Sequence, residues 1–170
     1  VGAHLVTMDY MLPEIRFKGH AYGAGCSYQS LDGALLLSAY RDPGIRETIE
    51  TYRRVADYVR RVPWTQVDID RGIIGVARRD EKPLRPSEAT SMALLRHTIG
   101  NSYKRRRARR RRLLEATPDE VRRATLAALE AGLSRAALCV MSGRAQLEAA
   151  NQHLGNQPLA IRNVFNQASG

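Results

Sequence analysis

Apolar residues recur at helical spacing from the start of the chain, with Leu5, Met8, Leu12 and Ile15 on one face at intervals of three and four. The spacing predicts an opening helix of about 14 residues, with Pro13 as a kink or as the first turn of a continuing helix. The pattern then changes. In HAYGAGCSYQSLDGALLLSAY, residues 20–40, two stretches of strand-like composition flank the turn dipeptide Asp32-Gly33, which predicts a β-hairpin. Gly19, Gly23 and Gly25 are unusual around its first strand, where glycine weakens packing but lets another backbone come close. After Asp42-Pro43-Gly44, the stripe Ile45, Ile49, Tyr52, Val55, Ala56 and Val59 predicts a long helix that Pro63 stops.

Residues 65–78 and 86–99 carry further helical patterns, separated by the polar segment EKPLRP with its two prolines. Thr117-Pro118-Asp119-Glu120 combines an N-cap, a proline at the first helical position and a glutamate for a capping box, so a helix should run from 118 to Gly132. Ala136 to Met141 reads as a short buried strand, Ser142 as the cap of a helix reaching about His153, and Leu159 to Arg162 as a last strand. No repeat or long linker divides the sequence, so 1–170 is expected to be a single domain. The order helix, hairpin, several helices, strand, helix, strand predicts an α+β domain whose antiparallel sheet is covered on one face by helices. A fold of that kind names no function.

Composition narrows the class. With 44 % hydrophobic and 26 % charged residues the chain is globular in character. No apolar run approaches the roughly 18 to 20 residues that cross a bilayer, so no membrane partner is expected, and a soluble, preferably cytoplasmic protein is. The N-terminus, Val1-Gly2-Ala3-His4, has neither an initiator Met nor a signal-peptide pattern and reads as a cut end. Cys26 and Cys139 lie far apart, form no C-x-x-C pair and are expected as two buried free thiols.

The net charge of +10 suggests nucleic acid until its distribution is considered. Residues 104–112 read KRRRARRRR; removing those eight from the 27 Lys and Arg leaves 19 against 17 Asp and Glu. Nine residues make about two and a half helical turns, so the arginines point all round and cannot all meet one groove. No aromatic residue interleaves the run, as single-strand binding would need. Nucleic acid is therefore disfavoured as a partner, and the run reads as a solvated helix face docking on an acidic neighbouring domain.

Catalytic motifs are scarce. None of His4, His20, His97 and His153 lies three or four residues from another, so neither H-E-x-x-H nor H-x-x-E-H can be drawn and no self-contained metal site is expected. No P-loop, Rossmann glycine pattern or G-x-S-x-G elbow occurs. The notable constellation is Ile15-Arg16-Phe17-Lys18-Gly19-His20-Ala21-Tyr22-Gly23-Ala24-Gly25, where helix meets hairpin. On spacing alone, Arg16 is a helix-end arginine and Tyr22 a half-buried strand tyrosine.

That constellation is followed by Ser38-Ala39-Tyr40-Arg41-Asp42-Pro43, the long helix, Ile69-Asp70-Arg71-Gly72-Ile73-Ile74-Gly75 and a basic helix ending near Leu114. Together these segments resemble the last domain of pitrilysin-type (insulinase-like) zinc peptidases, closest to the presequence protease branch, over most of the chain. The resemblance implies a C-terminal domain of a larger multidomain peptidase, with N-terminal strands of the fold missing from this chain. It implies two halves closing around a chamber, peptide substrates, and the N-terminal half of the same peptidase as partner. Zinc would be held outside this chain by an H-x-x-E-H motif whose glutamate is the general base, so the chain alone would be inactive. By the same resemblance Arg16 and Tyr22 reach the active site, Tyr22 as the catalytic phenol donor, with Arg16, Tyr22 and Gly23 binding substrate; the basic run could also line the chamber wall. His20 departs from the family pattern, which carries glycine there; it points to solvent or adds a polar contact in the chamber. Tyr28 and Tyr40 are read as packing residues. The competing reading is a non-catalytic interaction domain, either an inactive peptidase subunit or a basic nucleic-acid-binding module.

Overall fold

The computed structural model describes residues 1–29, 33–80, 83–155 and 158–163. Helix α1 (Gly2–Val6) passes without a break into a π-helix, Thr7–Lys18. The expected opening helix is present, but its turns are wider than expected. At its end the Gly19 N–H reaches back five residues to the Glu14 carbonyl at 3.1 Å. The extra residue per turn rotates the inward face. Leu5, Val6, Met11 and Ile15 are buried, whereas Met8, which belongs to the 3.6-residue stripe, is exposed.

The hairpin forms as its sequence suggests, with β1 (Gly23–Gln29) antiparallel to β2 (Ala34–Tyr40) from Gly23↔Tyr40 to Gln29↔Ala34. Gly33 takes the left-handed φ of +72° that the turn requires, and Asp32 lies outside the described residues. Cys26, with Ala24, Leu35, Leu37 and Ala39, faces the core, and Gly25, Ser38 and Tyr40 belong to the opposite register positions. Thr7 fastens the sheet to the π-helix: its Oγ1 accepts the Cys26 N–H at 2.8 Å and lies 3.0 Å from the Cys26 carbonyl.

Helix α2 (Ile45–Arg61) buries Ile49, Val55, Ala56 and Val59 and ends just before Pro63, as its stripe predicts. Helix α3 (Gln66–Asp80) starts at Thr65, whose Oγ1 and N–H pair with Asp68. Its two glycines have a packing reason. A Cβ at Gly75 would stand 2.3 Å from His4 Nε2, and one at Gly72 would stand 2.9 Å from Val1 Cγ1, so α1 lies directly on α3. Helix α6 (Pro118–Leu133) carries the expected capping box and closes the core with Val121 and Leu129. Arg60 of α2 joins it to Glu130 at 2.7 Å.

The remaining helices are α4 (Pro86–Thr98), α5 (Tyr103–Leu114) and α7 (Arg144–Asn151). Neither α4 nor α5 buries any of its residues. The fold is therefore α+β, with α1, the π-helix and α6 against one face of a two-stranded antiparallel sheet. No helix among the described residues is long and apolar enough to cross a membrane.

Three expectations fail. Residues 136–141 form no strand, and Leu138 and Met141 are exposed: a short apolar run has no β-structure without an edge to pair with. Leu159 to Arg162 form none either; there the Asn151 side chain accepts the Leu159 N–H at 2.7 Å and donates to its carbonyl at 2.9 Å. Cys139 lies in the first of these segments and is exposed, so only Cys26 is a buried thiol.

Candidate functional site at the helix–hairpin junction

The last turn of the π-helix carries Ile15 into the core and leaves Arg16 exposed. The chain then reverses at Gly19 and His20. A Cβ at Gly19 would lie 2.7 Å from the Ile15 carbonyl oxygen, so the reversal requires glycine there. His20 is exposed and left-handed, with φ 62°. That is the conformation glycine adopts without strain, here carried by a histidine.

Two backbone bonds close the reversal. Ala21 N–H donates to the Ile15 carbonyl at 3.1 Å, and Tyr22 N–H donates to the Tyr40 carbonyl at 3.1 Å, with the Arg41 carbonyl at 3.3 Å. Arg16 and Tyr22 are thus the immediate successors of a hydrogen-bonded pair, Ile15 and Ala21. Tyr22 is 67 % exposed, which removes the reading of it as a half-buried strand tyrosine. Tyr28 and Tyr40 are exposed as well and are not core packing residues.

Around Tyr22 the contacts are few and specific. The Tyr40 ring meets it edge-on at 5.9 Å between centroids and 84° between planes. The Arg41 guanidinium carbon lies 5.8 Å from the Tyr22 centroid and 5.5 Å from that of Tyr40. Arg16 stands 5.7 Å over Phe17. Next to Tyr22, a Cβ at Gly23 would meet nothing within 4 Å, and its φ is not positive, so nothing among the described residues demands glycine there. What glycine provides is an uncovered backbone that another chain can approach. Asp42 anchors the far side, its carboxylate accepting from the Gly44 N–H at 2.9 Å and from the Thr48 hydroxyl, which ties the end of β2 to α2.

This arrangement offers a phenol donor, a guanidinium and bare backbone on an open surface. It does not offer a metal centre: among the described residues no three His, Cys, Asp or Glu side chains gather in a way that could hold an ion. The donors at this junction, a phenol, a guanidinium and bare backbone, do not fit zinc. The basic run lies on α5, where Ser102 caps the helix and the Arg105 guanidinium donates to the Gly100 carbonyl at 2.9 Å. Arg41 lies within the segment Ser38-Ala39-Tyr40-Arg41-Asp42-Pro43, where no local pattern marks it for a role beyond the turn Asp42-Pro43-Gly44 that follows it.

Comparison with known proteins gives the chain a family. The family model described as PreP C-terminal domain matches residues 2–131, and the chain belongs to that family. It is 33 % identical over 121 residues to the mitochondrial presequence protease of Yarrowia lipolytica, covering 71 % of this chain and 12 % of that protein. The corresponding proteins of Eremothecium gossypii and Xenopus tropicalis are 34 % and 32 % identical over 122 and 130 residues, covering 71 % and 76 % of this chain and 12 % of each relative. The chain is therefore a peptidase C-terminal domain of the presequence protease branch, spanning about 12 % of the length of these relatives. Their names place those relatives in mitochondria, which lends the cytoplasmic preference no support. The family match ends before both segments in which the expected strands are absent.

Proposed function

We propose that the chain is the substrate-binding C-terminal domain of a zinc-dependent endopeptidase that degrades short unfolded peptides, with Tyr22 as the catalytic donor and Arg16 and Gly23 as peptide-binding positions. The observation that carries this reading is the exposure of Arg16 and Tyr22 at one hydrogen-bonded turn inside the family-matching region. Amide hydrolysis builds negative charge on the scissile oxygen, and a preorganised O–H aimed at that oxygen stabilises the transition state. An arginine offers a fork of donors that keeps its charge and suits a peptide carbonyl. The bare backbone at Gly23 lets the extended peptide lie close.

By this reading the N-terminal half of the full-length protein is the partner that completes the chamber. Zinc bound there would supply an activated water. This chain orients the peptide and meets the developing charge. The surface around Tyr22, open here, is the one that the other half would cover.

In the full-length protein, Tyr22→Phe should lower turnover about 100-fold, the usual scale for one oxyanion donor, with zinc content unchanged. The 170-residue chain alone should bind no stoichiometric zinc and cleave no peptide. Parental turnover in Tyr22→Phe would remove the role assigned to Tyr22 and favour the non-catalytic interaction domain. An H-x-x-E-H segment in the upstream part of the polypeptide is the matching sequence observation.

A further inference from the structure

We infer that Arg41 is a positioning residue for Tyr22, its guanidinium fixing the tyrosine ring so that the hydroxyl points where the developing charge arises. The inference rests on the reading of Tyr22 as the transition-state donor.

Tyr22 poses a physical problem. A group that stabilises a transition state must be held within about half an ångström of its productive place. Yet Tyr22 is 67 % exposed, so core packing does not hold it. What touches its ring is the end of β2: the edge of Tyr40 and the cation of Arg41. The same two residues accept the Tyr22 N–H through their carbonyls. Backbone and ring of Tyr22 are therefore referred to one short segment.

Arg41 is an unexpected residue for that segment. Its φ is 49°, in the left-handed region that disfavours side chains with a Cβ, and glycine would suit the turn better. Such conformations persist where the surroundings impose them, and they gather at functional sites. Here the imposition is visible, since Asp42 is bound to Gly44 and Thr48, and Tyr22 N–H lies against the Arg41 carbonyl. The side chain is what glycine could not supply. Its guanidinium spans both tyrosine rings, at 5.8 and 5.5 Å, an attraction of cation for ring face that orients both without enclosing them. His20, the other left-handed residue among the described residues that is not glycine, belongs to the preceding turn and gives an internal control.

The test uses the full-length enzyme with Arg41→Gly, Arg41→Lys, His20→Gly and Tyr22→Phe, plus the double variant Arg41→Gly with Tyr22→Phe. Arg41→Gly relaxes the backbone while deleting the cation. Its melting temperature should be no lower than the parent's, while kcat falls about tenfold at nearly unchanged KM. Arg41→Lys, which keeps a cation, should recover most of that loss, and His20→Gly should match the parent in kcat. In the Tyr22→Phe background, Arg41→Gly should cost nothing further, because the residue acts through the phenol. Parental kcat in Arg41→Gly, a fall in melting temperature that tracks the loss of rate, or a full additional loss in the double variant would each overturn the inference. If Tyr22→Phe itself turns over normally, the functional reading fails first, and the two failures are thereby told apart.

Discussion

Helices α2 and α5 are both rich in arginine, yet they take opposite places in the molecule. α2 carries an apolar stripe that buries Ile49, Val55, Ala56 and Val59 against the π-helix side of the core, and its arginines point outward. α5 has no such stripe and buries nothing, and among the described residues partly buried Leu113 near its end packs against the core. Its neighbour α4 is equally unburied. Both are nevertheless helices, because local signals suffice: the Glu88 side chain accepts the Arg85 N–H at 3.0 Å, and Ser102 accepts from Arg105 N–H at 3.3 Å. Capping makes a helix, whereas burial places it. The candidate site belongs to the part that is placed, since the π-helix, the hairpin and α2 share one core.

The largest expected effect probes that contrast directly. Leu129→Ala, at a side chain with no exposure, should destabilise the chain by about 3 to 4 kcal/mol in urea unfolding, whereas Leu95→Ala, 45 % exposed on α4, should cost less than about 0.5 kcal/mol. Equal costs would mean that α4 is packed as tightly as α6. Next comes a pH effect at Cys26. Burial pushes its thiol up from 9.0 to about 11, so the folded state holds its proton where the unfolded state has lost it. The associated stability is present below pH 9 and disappears as the pH rises towards 11, an effect of about 2 to 3 kcal/mol. The stability gap between the parent and Cys26→Ala should narrow over that window; a constant gap would show that the thiol is not desolvated. Exposed Cys139 should react with an alkylating reagent in the folded chain while Cys26 resists. Smaller again, Thr7→Val leaves the Cys26 N–H without its side-chain partner and should cost about 2 kcal/mol.

The anchored half was largely legible. The hairpin, α2 and the capping box of α6 follow from alternation, stripe and cap, because each of these signals is local. The π-helix was not, since the stripe through Met8 and Leu12 assumes 3.6 residues per turn, and tertiary contacts bury Val6 and Met11 in their place, beside the expected Leu5 and Ile15. The two strands expected near the end do not form, and apolar composition alone does not reveal whether a sheet edge is available to pair with. At Leu159 the backbone bonds go to the Asn151 side chain. At the site, family resemblance points to Arg16 and Tyr22, whereas the Ile15–Ala21 hydrogen bond that precedes both is a product of the folded turn that no residue type signals. The left-handed backbone at His20 and Arg41 was hidden for the same reason, because neither residue type announces a positive φ.

The smallest expected effect is the one that tests the other side of the comparison. Arg105–Arg109, Arg106–Arg110 and Arg107–Arg111 are like charges four residues apart on α5, and each such pair opposes the helix by about 0.2 to 0.5 kcal/mol. If α5 is held by its cap and not by burial, relieving that repulsion should help it and leave the core untouched. Arg107→Gln with Arg111→Gln should therefore raise helicity slightly by circular dichroism, more at low salt than at high salt, as screening requires. The urea midpoint should move by less than about 0.5 kcal/mol in equivalent stability. A loss of more than about 1 kcal/mol would mean that the stems of these arginines cover apolar surface, as long charged side chains can. α5 would then belong with α2 in the core, and the distinction between a capped helix and a placed one would fail in this molecule.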